Sequence, residues 1–249
     1  MALRPGNLIR YIHRFSISRC LRVWSTTTTT DGSYINLTIV GCAAHTAVDR
    51  SVTGILNEDE WTPVEVDVRS SDYHLIITGG WEFGRKGYLA IDNISMTNGY
   101  CPNCDFKDDL CNWNNTGSVN WNLRKEGKRD FEMKKRLRNF ISTEILQKEI
   151  DYASLLGPVI YGSESKTGQT CLQFSYRIDG GLKNTLSVYL NINGTRNRLW
   201  KTAVISHGWS MQYVNVTSGY DFQIEFEGKM GSGYIDVDEV IVLYSYCPG

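Results

Sequence analysis

A segment bounded by cysteines, residues 20–101, recurs in altered form as residues 171–247, and this repeat limits the fold more than any other feature of the chain. Each copy opens with a cysteine followed by apolar residues at alternate positions. In each copy a later run of the same kind starts at a tryptophan, Trp61 or Trp209. Alternation of period two is typical of half-buried antiparallel strands. The sequence therefore predicts two copies of one β-rich unit.

Length and charge set further limits. The chain has 249 residues, a net charge of −1 and a hydrophobic fraction of 41%. So small a charge gives no general attraction to nucleic acid or to an anionic membrane. No run of about 18 apolar residues occurs, so no membrane span is predicted. We expect the boundary between the units at residues 101–104, where one copy closes and the next begins, and residues 1–19 stay unassigned.

Seven cysteines and a set of Asn-x-Ser/Thr sequons indicate an oxidising, secretory compartment. The sequon asparagines are Asn36, Asn93, Asn114, Asn193 and Asn215. Basic residues interrupt the first 19 positions, where a signal peptide needs an apolar core, so no leader is visible in this chain. We therefore expect the chain to be either a piece of a longer extracellular protein or the product of a gene model with a wrong start.

Several motifs after residue 103 point to a known family. They are Cys-Asp-Phe-Lys-Asp-Asp-Leu-Cys-Asn-Trp at 104–113, Asn-Trp at 120–121, Leu-Leu-Gly-Pro at 155–158, Cys-Leu-Gln-Phe-Ser-Tyr at 171–176, Phe-Glu-Gly at 226–228, Gly-Ser-Gly-Tyr at 231–234 and Val-Asp-Glu-Val at 237–240. In this order they resemble the MAM domain, the adhesion module named after meprin, the A5 receptor and a receptor tyrosine phosphatase. The resemblance covers residues 104–247 as a nearly complete copy. Residues 20–101 resemble only the C-terminal half of the same domain.

The resemblance implies an all-β fold in both copies, an antiparallel β-sandwich of the jelly-roll type. It also implies disulfide pairs, which are Cys104–Cys111, Cys171–Cys247 and, for the first copy, Cys20–Cys101. Cys42 is left over. A zinc site at Cys101-x-x-Cys104 with Cys111 is an alternative use of these thiols, but the sequence lacks a second well-spaced ligand pair.

Residues 124–150 depart from the family pattern, which has two strands there. Met133, Leu137, Phe140 and Ile141 recur at three- and four-residue spacing, which favours an amphipathic helix. We therefore expect a helical or disordered insertion, whose deletion would leave residues 155–247 folded. The basic residues between 124 and 138 make a glycosaminoglycan or an anionic lipid a candidate partner of this segment, whereas nucleic acid is not expected outside the cell.

Two groups of aspartates form a candidate calcium site. Asp236 and Asp238 are two apart on a predicted strand, so their carboxylates lie on the same face. The resemblance implies a cation between this strand and the acidic loop after the first cysteine. There Asp105, Asp108 and Asp109 offer the oxygen ligands that calcium prefers. A lysine in that loop replaces the family's usual acid, which weighs against a metal; no other cofactor is expected.

Catalytic motifs are missing from the sequence. The four histidines are far from one another, and neither His-Glu-x-x-His nor Gly-x-Ser-x-Gly nor a phosphate loop occurs. We therefore expect a non-enzymatic, extracellular module that contacts other extracellular proteins, copies of itself included, within a larger receptor or secreted protein. A carbohydrate-binding jelly roll is the alternative from another class. A third hypothesis makes the chain the non-catalytic part of a meprin-like metalloprotease.

Overall fold

The computed structural model describes residues 2–3, 12–14, 19–27, 34–41, 48–55, 61–68, 72–80, 88–107, 109–125, 139–144, 152–162, 165, 167–180, 183–206 and 208–248. The regular elements of this part are β-strands, which confirms the all-β prediction. None of the residues so described forms a helix long and apolar enough to cross a bilayer. The chain divides into two compact units, Met1–Cys101 and Pro102–Gly249.

The first unit consists of two antiparallel four-stranded sheets. Its strands are β1 (Ala2–Leu3), β2 (Ile12–Arg14), β3 (Arg19–Thr27), β4 (Tyr34–Gly41), β5 (Val48–Ile55), β6 (Thr62–Val68), β7 (Asp72–Gly80) and β8 (Leu89–Asn98). The sheet orders are β1-β8-β3-β6 and β2-β7-β4-β5. Apolar residues from both sheets, such as Leu21, Val23, Leu37 and Ile77, form one buried core. This is the packing that alternating strands require.

The first unit holds more than the expected half domain. Residues 1–19, for which the sequence predicts no element, supply β1 and β2. Each of these strands joins a different sheet, with Ala2 opposite Ala90 and Ile12 opposite His74. Pairing of this kind covers N–H and C=O groups that a sheet edge would otherwise leave open. The N-terminal segment therefore contributes to the unit.

The second unit consists of two antiparallel five-stranded sheets. Its strands are β9 (Asn114–Asn115), β10 (Asn122–Lys125), β11 (Asn139–Glu144), β12 (Tyr152–Leu156), β13 (Gln169–Asp179), β14 (Thr185–Ile192), β15 (Thr195–Thr202), β16 (Ser210–Thr217), β17 (Gln223–Lys229) and β18 (Tyr234–Leu243). The sheet orders are β10-β11-β18-β13-β16 and β15-β14-β17-β12-β9.

The sequence repeat is also present in the strand order. The series β8-β3-β6 matches β18-β13-β16, and β7-β4-β5 matches β17-β14-β15. The pairing register shifts just after Arg22 in β3 and just after Gln173 in β13, which is the same point of the repeat. On the partner strands, Asn93 and Glu239 adopt φ values of 45° and 50°. The two segments thus share both topology and a bulge.

Aromatic rings occupy the core of the second unit. The Phe174 ring lies 5.0 Å from Phe226 and 5.5 Å from Trp200, both edge to face. Such pairs contribute about 0.5–1.5 kcal/mol beyond the area they bury. Trp113 and Trp121 are also buried. Both of these tryptophans belong to the hydrophobic core.

The described part of segment 124–150 is not an insertion. β10 and β11 form a hairpin in which Lys125 lies opposite Asn139, and β11 pairs with β18 through Ile141 opposite Val237. Phe140 and Ile141 are 6% and 0% exposed in this strand. The helix prediction is wrong for them because two adjacent apolar residues in a short run fit a buried strand as well as a helix.

Only part of the basic segment is described. Arg124 and Lys125 are exposed residues of β10. Residues 126–138, which include Met133 and Leu137, lie outside the described residues, as do residues 145–151.

Asn184 ties two turns of the second unit together. The residue is 1% exposed. Its Nδ2 donates to the carbonyl oxygens of Asp179 and Ser232, and its Oδ1 accepts from the N–H groups of Gly231 at 2.7 Å and Ser232 at 3.3 Å. The amide thereby uses two donor and two acceptor positions. The turn after β13, at Asp179 and Gly180, is therefore held against the turn that leads into β18.

Candidate functional site

Polar side chains meet on the outer face of the sheet that contains β11, β18 and β13. Ser142, Asp236 and Arg177 are register neighbours on these three strands. Side chains alternate between the two faces of a strand, and the residues on either side of these three point into the core. The sheet therefore places a carboxylate between a hydroxyl group and a guanidinium.

The Arg177 cluster consists of Arg177, Asp236, Phe140, Trp209 and Tyr234. The guanidinium donates to Asp236 Oδ2 from Nε at 2.9 Å and from Nη2 at 2.7 Å. Its central carbon lies 5.4 Å, 5.1 Å and 5.2 Å from the ring centroids of Phe140, Trp209 and Tyr234. Each cation–π contact is worth about 0.5–1 kcal/mol at an exposed site and more when desolvated. The arginine is thus fixed by one ion pair and three rings.

Asp236 is only 1% exposed although it lies on the outer face. Burial raises the pKa of its carboxyl group above the ordinary value, and hydrogen bonds from Ser142 and Arg177 offset only part of the rise. The folded carboxyl group therefore keeps its proton to a higher pH than the unfolded one. The free energy of unfolding therefore decreases as the pH rises from the pKa of the unfolded carboxyl group to that of the folded one. The ion pair orients Arg177 more than it stabilises the fold.

Two exposed side chains continue this face at the sheet edge. Met211 and Tyr213, 43% and 40% exposed, are two apart on the edge strand β16. Met211 lies opposite Ser175, whose Oγ contacts the methionine sulfur at 3.9 Å. Methionine, tyrosine and arginine are enriched at protein interfaces. We name Met211 and Tyr213 the β16 face.

A second charged group lies on the outer face of the other sheet. Arg196 of β15 donates to Glu225 from Nε at 2.8 Å and from Nη2 at 3.0 Å, and to Glu227 from Nη2 at 2.8 Å. Asn191 Nδ2 donates to Glu225 at 2.9 Å, and the Ser154 hydroxyl also donates to Glu225. We name these five residues the Arg196 network, because the arginine connects its two carboxylates.

The Arg196 network changes how Glu225 titrates. Burial opposes ionisation of this carboxyl group, but the hydrogen bonds from Arg196, Ser154 and Asn191 outweigh burial and hold its pKa below the ordinary value of 4.5. The unfolded chain therefore binds this proton more readily than the folded chain does. The stabilisation is present above about pH 4.5 and is lost as the pH falls through the folded pKa.

Glu225→Gln is therefore expected to reduce the acid sensitivity of the second unit. The urea midpoint of the wild-type chain should fall between pH 6 and roughly pH 3. This decrease should be smaller in the variant, because the variant has no carboxylate to protonate at this position. Arg196→Gln should also reduce the decrease, since it removes the main partner. An Arg196→Gln profile that matches the wild type would show that the arginine does not set this pKa.

Three disulfide bonds use six of the cysteines. They join Cys20 to Cys101, Cys104 to Cys111 and Cys171 to Cys247, with Cα separations of 4.7 Å, 5.7 Å and 4.8 Å. These are the pairs that the family resemblance implies. Within the described residues, potential metal ligands converge only at the first bond, beside Glu65, where both sulfurs are already bonded to each other. Cys42 lies outside the described residues.

The candidate calcium ligands have other partners where they are described. Asp105 and Asp109 are exposed, and each accepts a hydrogen bond from a backbone N–H two residues on. This is the bonding of a turn-forming aspartate. Asp236 binds Arg177, and Asp238 accepts from the N–H of the next residue at 2.7 Å. Three oxygens from these four do not converge, and Asp108 lies outside the described residues. Calcium binding stays a prediction.

The sequon asparagines are accessible to different degrees. Asn93, Asn114, Asn193 and Asn215 are exposed, and Asn36 is half-buried. Asn193 and Gly194, with φ values of 48° and 79°, form the two-residue turn between β14 and β15. Asn215 follows Tyr213 on the same face of β16, and its Oδ1 accepts from the backbone N–H of Cys247 at 2.9 Å. Glycosylation of these residues stays a prediction.

Arg177, Arg196 and Glu225 were not among the residues predicted from the sequence. Arg177 and Glu225 each stand at the polar position of an alternating run, which predicts a solvent-facing charge and gives no sign of burial. Such a residue is rarely buried unless it is paired. The identity of each partner depends on strand register, which the sequence does not specify.

Comparison with known proteins gives a family match and distant relatives. The family model described as MAM domain, meprin/A5/mu, matches residues 104–248, which is more than half of the chain. The human MAM domain-containing protein 2 is 25% identical over 210 residues, covering 76% of this chain and 30% of the relative. Thyroid hormone-induced protein B of Xenopus laevis is 23% identical over 213 residues, covering 78% of this chain and 30% of the relative. The chain thus spans about 30% of the length of these relatives.

Similar solved structures include the N-terminal CBM22-1-CBM22-2 tandem domain from Paenibacillus barcinonensis Xyn10C. Its sequence is 10% identical and its TM-score is 0.41. The match covers 93% of this chain and 79% of that chain. Another is the K1 cleaved adhesin domain of Lys-gingipain from Porphyromonas gingivalis, which is 14% identical with a TM-score of 0.42. This match covers 57% of this chain and 96% of that chain. These likenesses concern the fold alone.

Proposed function

The chain belongs to the MAM domain family, and from this premise we propose that it is a secreted, non-catalytic module that binds another protein through the β16 face. MAM domains are extracellular modules that mediate protein interactions. The observation that carries the proposal is the exposure of Met211 and Tyr213 side by side on an edge strand. The first partner to test is a second copy of the same chain, because adhesion modules often contact their own kind.

The chemistry of the β16 face suits a protein contact. A tyrosine offers a large contact area and one polar group at a small cost in conformational entropy, and a methionine adapts its shape to a partner. The Arg177 cluster on the same outer face is held by its ion pair and its rings. A fixed support of this kind lowers the ordering cost of binding.

Under this proposal the first unit is a second, shortened copy of the same domain. Its support is the shared strand order and the bulge just after Arg22 in β3, which matches the bulge just after Gln173 in β13. The Cys20–Cys101 bond closes this copy as Cys171–Cys247 closes the other. The described residues of the first unit have no equivalent of the Cys104–Cys111 loop.

Binding of a neutral sugar through the outer face of the sheet that contains β15, β14 and β17 has less support. Sugar-binding jelly rolls need an aromatic ring that a sugar can reach. On the outer face of β14, the Tyr189 ring is covered by the Arg196 guanidinium, whose carbon lies 3.3 Å from the ring centroid. Whether the parent protein carries a metalloprotease domain is a separate prediction about sequence beyond this chain.

Met211→Ser/Tyr213→Ser is expected to abolish adhesion. Beads coated with the secreted wild-type chain should aggregate, and the double variant should reduce aggregation at least about tenfold, because it removes two central contacts. Val159→Ser/Tyr220→Ser is the matched control, since it removes two exposed apolar side chains, 40% and 72% exposed, elsewhere on the same unit.

The control should aggregate like the wild type, and all three proteins should unfold at similar urea concentrations. Equal losses in both double variants would show that the β16 face is not the contact. Wild-type beads that stay dispersed would exclude the homophilic form of the proposal.

A further inference from the structure

A β-bulge interrupts β15 at Leu199. Val188 of β14 lies opposite Trp200, but the next residue, Tyr189, lies opposite Arg198, so Leu199 has no register partner. Leu199 and Trp200 both pack against the hydrophobic core. The bulge therefore reverses the inward and outward alternation of the strand from this point on.

The reversed alternation brings three cations to one face. Arg196, Arg198 and Lys201 are spaced by two and then three residues, so strict alternation would place Lys201 on the other face. With the bulge, all three lie opposite outward-facing residues of β14, and all three are exposed. They lie opposite positions 191 to 187 of β14, so at about 3.3 Å per residue they extend over roughly 13 Å. We name them the β15 cation row.

Two charges of this row have no ion-pair partner in the described part of the chain. Glu225 and Glu227 are balanced by Arg196 and by a lysine of β17 at 3.3 Å from Glu227. Among the residues that the structure describes, no carboxylate forms an ion pair with Arg198 or Lys201. The Arg196 network thus fixes one end of the row and leaves two cations available to an anion.

We propose that the β15 cation row binds a linear sulfated polysaccharide. Guanidinium and ammonium groups make strong, charge-assisted hydrogen bonds to anionic oxygens, and the planar guanidinium can bind two of them at once. Cations in line along an extended strand suit a chain that carries anions at regular intervals. The sequon at Asn193 lies beyond the Arg196 end of the row. A glycan on Asn193 would therefore be farther from Arg198 than from Arg196, and farthest from Lys201.

A protein partner fits this strand less well. All residues of β15 are described, and none of them exposes a large apolar side chain. Protein contacts depend on such buried anchors, whereas polyanion binding depends on charge. The proposed site shares no residue with the β16 face, so it does not depend on the proposed adhesion.

Arg198→Ala/Lys201→Ala tests the site in the secreted full chain. Binding to immobilised heparin in about 0.15 M salt should weaken at least tenfold, because two charge-assisted contacts are removed. The slope of log affinity against log salt should also decrease. Arg124→Ala/Lys125→Ala is the charge-matched control, because it removes two exposed cations from β10 and should change affinity less than about twofold.

Each alternative outcome has a clear meaning. Equal weakening by both double variants, or weakening by the β10 variant alone, would overturn the assignment to β15. The proposal of a sulfated ligand would be overturned if desulfated heparin bound as tightly as heparin. It would also be overturned if poly-glutamate bound as tightly as heparin. Arg198→Ala/Lys201→Ala should keep wild-type bead aggregation and urea stability, which separates a failure here from a failure of the adhesion proposal.

Discussion

Deletion of residues 126–144 is expected to prevent the second unit from folding, whereas replacement of residues 126–138 alone by Asn-Gly should leave it folded. The larger deletion removes β11, which pairs with both β10 and β18. It also removes Ile141, which is 0% exposed. Truncation of one such side chain costs about 2–5 kcal/mol, and a whole domain has only about 5–15 kcal/mol of stability. Loss of the entire strand therefore exceeds what the unit can tolerate.

The smaller replacement preserves the hairpin because Lys125 and Asn139 are its last register pair. A two-residue Asn-Gly turn joins strands at that separation. Secretion yield, circular dichroism and mapping of the Cys171–Cys247 peptide would compare the two variants, with Ile141→Ala as an intermediate. Normal secretion and folding of the larger deletion would restore the view that 124–150 is an insertion. If the variant with Asn-Gly in place of residues 126–138 failed to fold, part of the core would have to come from those residues.

Local signals explain how much of the fold the sequence predicted. Alternation acts over a few positions, so the runs that became β3, β6, β13 and β16 could be recognised. β1 and β2 have two and three residues, which is too short for a periodic signal. β11 was misassigned because Phe140 and Ile141 also satisfy helical spacing.

The charged clusters could not be predicted because their members are distant in the chain. Arg177 and Asp236 are 59 positions apart, and Arg196 and Glu225 are 29 apart. Strand register brings them together, and a shift of one residue would send each side chain to the opposite face. The β15 cation row is local in sequence, but it also could not be predicted, because Lys201 joins it only through the bulge at Leu199.

Gly180→Ala is expected to cost the second unit more than any other single glycine replacement tested beside it. Gly180 has a φ of 105°, a conformation that residues with a side chain rarely adopt. A Cβ atom there would contact the carbonyl oxygen of Ser232 and lie 2.7 Å from its carbonyl carbon. Asn184 binds that same carbonyl oxygen and so prevents the turn from moving away. Strain and overlap together should lower the free energy of unfolding by about 3 kcal/mol or more.

Two further glycines separate the two causes. Gly194 has a φ of 79° but no atom within 4 Å of an added Cβ, so Gly194→Ala carries strain alone and should cost about 1 kcal/mol. Gly208 has neither feature, so Gly208→Ala should change stability by less than about 0.5 kcal/mol or raise it slightly. Urea unfolding of the three variants should give this order. Similar values for Gly180→Ala and Gly194→Ala would mean that the turn holding Ser232 yields, and that Asn184 does not fasten it.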